Sequence, residues 1–173
     1  DVVLVGQSIG GFSASLAAPR LPTSRLVLLN AMVPAPGETA GQWWANTGQA
    51  EARRAHDVRQ GRDPDGGFDP VTYFFHEFSA AEVELLTADE REETDTIFAA
   101  PWSLDRWPDV RTRVVIGRDD RFFPADFQRR VARERLGAGL HGDDAVIIHR
   151  LGGVDDQVQQ HLANLRRIGL DQR

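Results

Sequence analysis

Four short runs of apolar residues divide the chain, at residues 2–5, 26–29, 114–116 and 145–148. Each run is nearly all apolar and does not alternate with polar residues, which is typical of strands covered on both faces of a parallel sheet. Helix-prone stretches follow three of them, at residues 12–21, 126–136 and 156–168. This alternation of strand and helix predicts an α/β fold built on a parallel sheet.

A long insert, residues 33–109, separates the second predicted strand from the third and breaks this alternation. It contains all four tryptophans, an exposed loop at residues 61–67 and an acidic helix predicted at residues 80–91. An insertion of this length indicates a cap, or lid, over an active site. The alternative is a helical embellishment with buried aromatic residues. We therefore assign residues 1–32 and 110–173 to the core of the domain, and the insert to the cap.

Composition narrows the range of functions. With 173 residues, 41% of them hydrophobic, the chain is long enough for one domain with a substantial core. The net charge of −6 argues against a nucleic-acid or membrane partner, which would call for a basic face. Cysteine and lysine are both absent, which excludes thiol nucleophiles, thiolate metal sites and Schiff-base chemistry. Because metal-binding histidine spacings and a P-loop lysine are also missing, we expect no metal and no cofactor.

The start of the chain opens directly into the first predicted strand, without Met or a leader sequence. No apolar stretch approaches the ~20 residues of a membrane-spanning helix. We therefore expect the true N-terminus to lie upstream of Asp1, and we expect a cytoplasmic protein.

The first apolar run leads directly into Gly6-Gln7-Ser8-Ile9-Gly10-Gly11. In a G-x-S-x-G motif the serine lies on a sharp, strained turn from strand to helix, so the flanking residues must be small. Gly6 and Gly10 meet this requirement, and we expect Gly11 to let the helix pack closely. The alternative is an ordinary turn with an incidental serine.

A second motif follows the third predicted strand, in the sequence Gly117-Arg118-Asp119-Asp120-Arg121-Phe122-Phe123-Pro124. With these two motifs in this order, the chain resembles the α/β-hydrolase superfamily, most closely its small serine esterases and hydroxynitrile-lyase-like hydrolases with a helical cap. The resemblance implies that Ser8 is the nucleophile and that Asp120, counted from Gly117 in G-x-x-D-x-x-x-P, is the acid. Asp119 is the neighbouring candidate, and its alternative role is to cap or hydrate the turn.

The chemistry implied by this resemblance is acyl transfer. A serine hydroxyl needs an imidazole to take its proton, and a carboxylate orients that imidazole. The backbone N–H of Ile9, the residue after the nucleophile, is the expected oxyanion donor. The resemblance places the second donor, and several strands of the sheet, before Asp1. We therefore expect the chain to be a fragment.

The general base is the part of the resemblance from which this chain departs. The family usually has a Gly-His turn after the last strand, where this chain has Val154. Valine cannot accept a proton. Of the five histidines, His149 ends the last predicted strand and is the candidate to reach Ser8 and Asp120. Its alternative is a strand-end histidine paired with solvent or backbone.

Two residues of the insert, Phe75 and His76, are candidate substrate-binding residues; the alternative for His76 is to pack among the neighbouring aromatics. The sequence thus predicts a serine hydrolase that cleaves small carboxylic esters. One alternative is a catalytically impaired hydrolase fold that binds small ligands, which Val154 favours. A cyanohydrin lyase ranks last, because that chemistry usually needs a lysine in this fold.

Overall fold

A parallel sheet forms the centre of the molecule. The computed structural model describes residues 1–88, 94–137 and 145–148. Four strands pair in parallel in the order β1-β2-β3-β4, namely β1 Val2–Ser8, β2 Thr23–Ala31, β3 Thr112–Gly117 and β4 Ala145–Ile148. Each apolar run of the sequence lies in one of them. The predicted α/β class is confirmed.

Seven helices accompany the sheet in the described part of the chain: α1 Gly10–Ala17, α2 Ala40–Thr47, α3 Gln49–Arg59, α4 Pro70–Tyr73, α5 Ala80–Thr87, α6 Thr96–Ala99 and α7 Ala125–Leu136. The first helix begins two residues earlier than predicted and ends earlier, because the chain turns into a 3-10 helix, Ala18–Arg20, with proline at its start. The predicted helix at residues 156–168 lies outside the described residues. None of the helices described is long and apolar enough to cross a membrane.

Local signals in the sequence set the helix boundaries of the insert. Thr39 begins α2 and Ser79 begins α5, each through a reciprocal capping box with the residue three positions later. Gly48, with φ 64°, ends α2 in the left-handed conformation and lets α3 begin at the next residue. The insert is therefore a chain of short helices with defined ends.

The insert shares the core of the sheet. Trp43 and Trp102 are almost fully buried and belong to the same cluster as Leu28 and Ile116 of the central strands. The Trp102 indole N–H donates to Ser15 Oγ of α1 at 2.9 Å. Buried aromatics are the alternative to a lid for this insert, and these two tryptophans have that buried position.

An ion pair also joins the insert to the core. Glu38 and Arg135 of α7 form two parallel N–H···O contacts of 2.9 and 3.0 Å. The Glu38 carboxylate also accepts from the Ala35 N–H at 3.1 Å and from Asn46 Nδ2 at 2.8 Å. Glu38 is buried, so its charge needs these four donors.

Strand β1 departs from the expectation of burial on both faces. Within the described chain it pairs with β2 alone, and the side chains of Val3 and Val5 are 56% and 61% exposed. Leu26 and Leu28 of β2 are fully buried. The all-apolar pattern therefore predicts that a strand is present, and it does not predict how deeply that strand is buried.

Candidate active site

Ser8 occupies a sharp turn at the carboxyl end of β1. Its φ is 51°, in the left-handed region that residues other than glycine rarely adopt. The Met32 N–H donates to the Ser8 carbonyl oxygen at 2.9 Å, and Ile9 caps the helix that begins at Gly10. A strained serine between a strand and a helix is the geometry of a nucleophile elbow. The Ser8 side chain is exposed and available to a ligand.

The glycines around Ser8 are required to different degrees. A Cβ on Gly6 would lie 2.7 Å from the Gly10 carbonyl oxygen, and one on Gly11 would lie 2.1 Å from the Met32 carbonyl oxygen. Among the described residues, a Cβ on Gly10 would meet nothing within 4 Å. These residues therefore give no steric reason for a small residue at Gly10, and that expectation stays a prediction. The close approaches occur at Gly6 and Gly11.

Asp120 lies in the loop after β3. Its Oδ1 accepts from the backbone N–H groups of Phe122 and Phe123, at 2.9 and 2.7 Å. Burial raises the pKa of the Asp120 carboxyl to about 6, and the two N–H donors oppose that rise only in part. Asp120 is therefore a fixed carboxyl group whose charge is incompletely compensated within the described residues.

Two buried glutamines hold the Asp120 loop from outside. Gln49 Nε2, at the start of α3, donates to the Phe122 carbonyl oxygen at 2.7 Å. Gln128 Nε2 of α7 donates to the Phe123 carbonyl oxygen at 2.6 Å. Because both amides are nearly inaccessible to solvent, these bonds fix the loop that carries the carboxyl group.

One cavity of about 380 Å³ brings these groups together at the carboxyl edge of the sheet. Its polar part comes from the ends of three strands, and its aromatic part comes from the insert and the Asp120 loop. The lining residues are Gln7, Ser8, Asn30, Tyr73, Phe74, His76, Glu77, Gly117, Asp119, Asp120, Phe122 and Phe123. A small molecule in this cavity would meet Ser8, Asp120 and His76 together.

Comparison with known proteins identifies the family of the chain. The model of the alpha/beta hydrolase family matches residues 1–162. The chain belongs to this family. Family membership supports a hydrolase activity for the protein.

Solved structures show the same fold as this α/β-hydrolase. The crystal structure of polyneuridine aldehyde esterase is 20% identical, with a TM-score of 0.60, and the match covers 98% of this chain and 72% of that one. A variant of PytH is 18% identical, with a TM-score of 0.53, and the match covers 85% of this chain and 61% of that one. No curated protein matches the hydrolase by sequence.

The predicted site residues of the hydrolase fall into three groups. Ser8, Asp120 and His76 line one cavity. Ile9 follows Ser8 in the chain as the N-cap of α1 and is not among the lining residues. Phe75 does not line the cavity; Phe74 does, and the Phe75 ring packs 6.2 Å from that of Phe78. His149 and Val154 lie outside the described residues.

Asn30 lines the cavity and is not among the residues predicted from the sequence. It has φ 42° and accepts the Gly117 N–H through Oδ1 at 2.7 Å. The last paired residues of β2 and β3 are Leu29 and Val115. The Asn30 side chain therefore joins the two strands beyond their last backbone pair. A polar residue directly after an apolar run at the carboxyl end of a parallel strand was the available signal.

A buried charge cluster supports the aromatic wall of the hydrolase cavity. Asp57 is fully buried and pairs with Arg53 Nη1 at 3.1 Å and with Arg62 Nε at 2.8 Å. The Tyr73 hydroxyl donates to Asp57 at 2.9 Å and accepts from Arg53. Desolvation, together with the bond to Asp57, raises the pKa of Tyr73. Tyr73 is therefore a neutral, fixed part of the wall.

The described residues contain no group of three or more His, Asp or Glu side chains placed to hold a metal ion. The polar groups of the cavity are those of Gln7, Ser8, Asn30, His76 and the carboxyl-bearing residues. What this set offers chemically is a hydroxyl, an imidazole, two carboxamides and carboxyl groups.

Proposed function

We propose that the protein is a serine hydrolase that cleaves small carboxylic esters through an acyl-enzyme. The observation that carries this proposal is Ser8, exposed at positive φ between a strand and a helix, in a cavity that Asp120 also lines. At such a strained turn the hydroxyl points away from the rest of the protein, where a ligand can contact it.

The proposed reaction has two stages. Ser8 Oγ attacks the ester carbonyl carbon while its proton passes to an imidazole, and the N–H of Ile9 stabilises the oxyanion. The intermediate then expels the alcohol, which takes the proton, and water repeats the sequence on the acyl-enzyme. Asp120 orients the imidazole and stabilises its protonated form. His149 is our candidate for the base.

The size and lining of the cavity support a small ester. A volume of about 380 Å³ lies at the lower end of the range of ligand pockets. Tyr73, Phe74 and Phe122 offer aromatic surface for an apolar acyl or alcohol group. The name of polyneuridine aldehyde esterase agrees with ester chemistry on this fold. Because four residues of the insert line the cavity, namely Tyr73, Phe74, His76 and Glu77, we also propose that the insert acts as the cap.

The alternative is a hydrolase fold that binds a small ligand without turnover. Val154, in place of the usual family histidine, favours this alternative. The two proposals differ in the reactivity of Ser8, because a serine without a base is a poor nucleophile.

Labelling with a fluorophosphonate probe tests the proposal. The purified chain is treated with the probe and the modified residue is found by mass spectrometry, with Ser8→Ala as control. We expect one label, at Ser8, and none in the variant. A folded sample that takes no label would eliminate the serine hydrolase and leave the ligand-binding alternative. His149→Ala then tests the base, and we expect it to reduce labelling.

A further inference from the structure

His76 is a polar group of the insert that lies in the cavity. It lines the same cavity as Ser8 and Asp120, and its Nδ1 is fully buried. Nothing in the described part of the chain forms a hydrogen bond with that nitrogen. The ring therefore has one nitrogen enclosed by protein, and it lines a cavity open to ligands.

The enclosed nitrogen leaves one nitrogen of His76 for a ligand. A neutral imidazole carries its proton on one nitrogen, which donates, and the other nitrogen accepts. Nδ1 is buried without a partner among the described residues, and this costs free energy whether that nitrogen is a donor or an acceptor. A ligand in the cavity can therefore bond His76 only through Nε2.

The charges around His76 agree with a neutral ring. Burial is the main cause that lowers its pKa, followed by the positive charge of Arg121, with Arg62 acting in the same direction. Glu77 and Asp119 oppose these effects and do not overcome them. At neutral pH the imidazole is therefore uncharged and a poor acceptor of a second proton.

We propose that His76 positions the substrate by donating a hydrogen bond from Nε2–H to an oxygen of the bound ester. The inference rests on the proposed function for the identity of the ligand. The neighbouring rings of Tyr73 and Phe74 take the apolar part of the ester, and His76 fixes its orientation. This role differs from that of the general base, because it needs the proton on Nε2 to stay in place.

Two variants separate the roles. His76→Gln keeps an N–H donor at a similar reach, and His76→Phe keeps a flat ring without a donor. Both are combined with Ser8→Ala, which prevents turnover, and the affinity for 2-phenylethyl acetate is measured. We expect the Phe variant to bind about three- to tenfold more weakly and the Gln variant within about twofold, as for the loss and retention of one neutral hydrogen bond. Nitrogen-15 NMR of the Ser8→Ala protein is expected to show the Nε2–H tautomer, with a shift of that proton on addition of the ester.

Three results would overturn the inference: equal affinity of both variants, an Nδ1–H tautomer, or loss of fluorophosphonate labelling by about a hundredfold when either substitution is made in the chain with Ser8 intact. The last result would make His76 the base. The test is independent of turnover. If the unaltered chain takes no label while the ester still shifts the Nε2 proton, the serine hydrolase fails and the binding role of His76 stands.

Discussion

The backbone of Ser8 adopts a strained conformation that a serine side chain does not favour. With φ 51°, any residue with a Cβ is disfavoured there, whereas glycine adopts this conformation freely. Serine at such a position is explained by what its hydroxyl does in the cavity. Two substitutions that both remove the hydroxyl, one to glycine and one to alanine, measure the backbone strain apart from the chemistry of the hydroxyl.

We predict that Ser8→Gly is more stable than Ser8→Ala by about 1 kcal/mol in free energy of unfolding. Both variants lose the hydroxyl and the label, so the difference between them measures the backbone alone. Urea unfolding followed by tryptophan fluorescence gives both values. Equal stabilities would show that the turn at Ser8 is relaxed.

The carboxyl group of Asp120 makes stability depend on pH. Its pKa is about 6 in the folded chain and about 3.8 when unfolded. Between these values the folded state binds more protons, so the contribution of Asp120 to the free energy of unfolding falls as pH rises through this window, and stays low above it.

Asp120→Asn keeps the acceptor for the N–H groups of Phe122 and Phe123 and removes the buried charge. We predict that it is more stable than the unaltered chain at pH 7.5, on the order of 2 kcal/mol, and equally stable near pH 4. We also expect it to lose hydrolysis. Asp119→Asn, which removes a carboxyl group at an exposed neighbour, is the matched control, and we expect the pH dependence produced by Asp120 to remain in it. A pH-independent difference for Asp120→Asn would contradict the burial of a charge.

At the scale of secondary structure, the contact between α1 and the end of β2 depends on one missing side chain. Gly11 lies so close to the Met32 carbonyl oxygen that a methyl group cannot fit. A Cβ on Gly10, one residue earlier in the same helix, would meet nothing within 4 Å among the described residues. Of these two adjacent glycines, only Gly11 thus excludes a larger side chain by its contacts with the described residues.

We predict that Gly11→Ala costs about 1–3 kcal/mol or more, because α1 must move away from the sheet. Gly10→Ala is the control and is expected to be neutral or slightly stabilising, since alanine is the better helix former. Displacement of α1 also moves the Ile9 N–H, so we expect slower labelling of Ser8 in the Gly11 variant alone. Equal effects of the two substitutions would show that the close approach to Met32 does not limit the helix.

The strands could be predicted because each contains a continuous apolar run, and in β2 and β3 this run supplies buried residues of the core. The helix after Ser8 was predicted too long, because Pro19 permits a 3-10 turn at the end of a helical pattern. The sequence predicts Phe75 as a substrate-binding residue, whereas Phe74 lines the cavity. An aromatic run is visible in the sequence, but which of its rings faces the cavity is not. The Asp57 cluster joins residues up to 20 positions apart, and no local pattern marks such a partnership.

At the scale of the whole molecule, the insert is packed into the core. Two tryptophans of the insert lie in the sheet core, and Glu38 reaches α7 through its pair with Arg135. Unfolding of the insert alone would expose both contacts. We therefore expect the insert and the core to unfold together.

We predict that Glu38→Met and Arg135→Met each cost about 3 kcal/mol, because each leaves a buried charge without its partner. The double variant is expected to cost less than the sum, with a coupling energy on the order of 2 kcal/mol. Urea unfolding of the unaltered chain, the two single variants and the double variant gives the four free energies of this double-mutant cycle. Additive costs would show that the two charges are solvated separately and that the insert is held by its tryptophans.

The contact from Asn30 to Gly117 has a consequence for how the cavity could be observed. The amide proton of Gly117 is held by the Asn30 side chain, beyond the last paired residues of β2 and β3. Its exchange with deuterium from solvent therefore requires only rotation of Asn30, whereas the amides of Val114 and Ile116 exchange when strands separate. Gly117 would thus exchange faster than its neighbours, and its rate would slow when a ligand occupies the cavity. A single backbone proton would serve as an intrinsic reporter of occupancy, without any label or turnover.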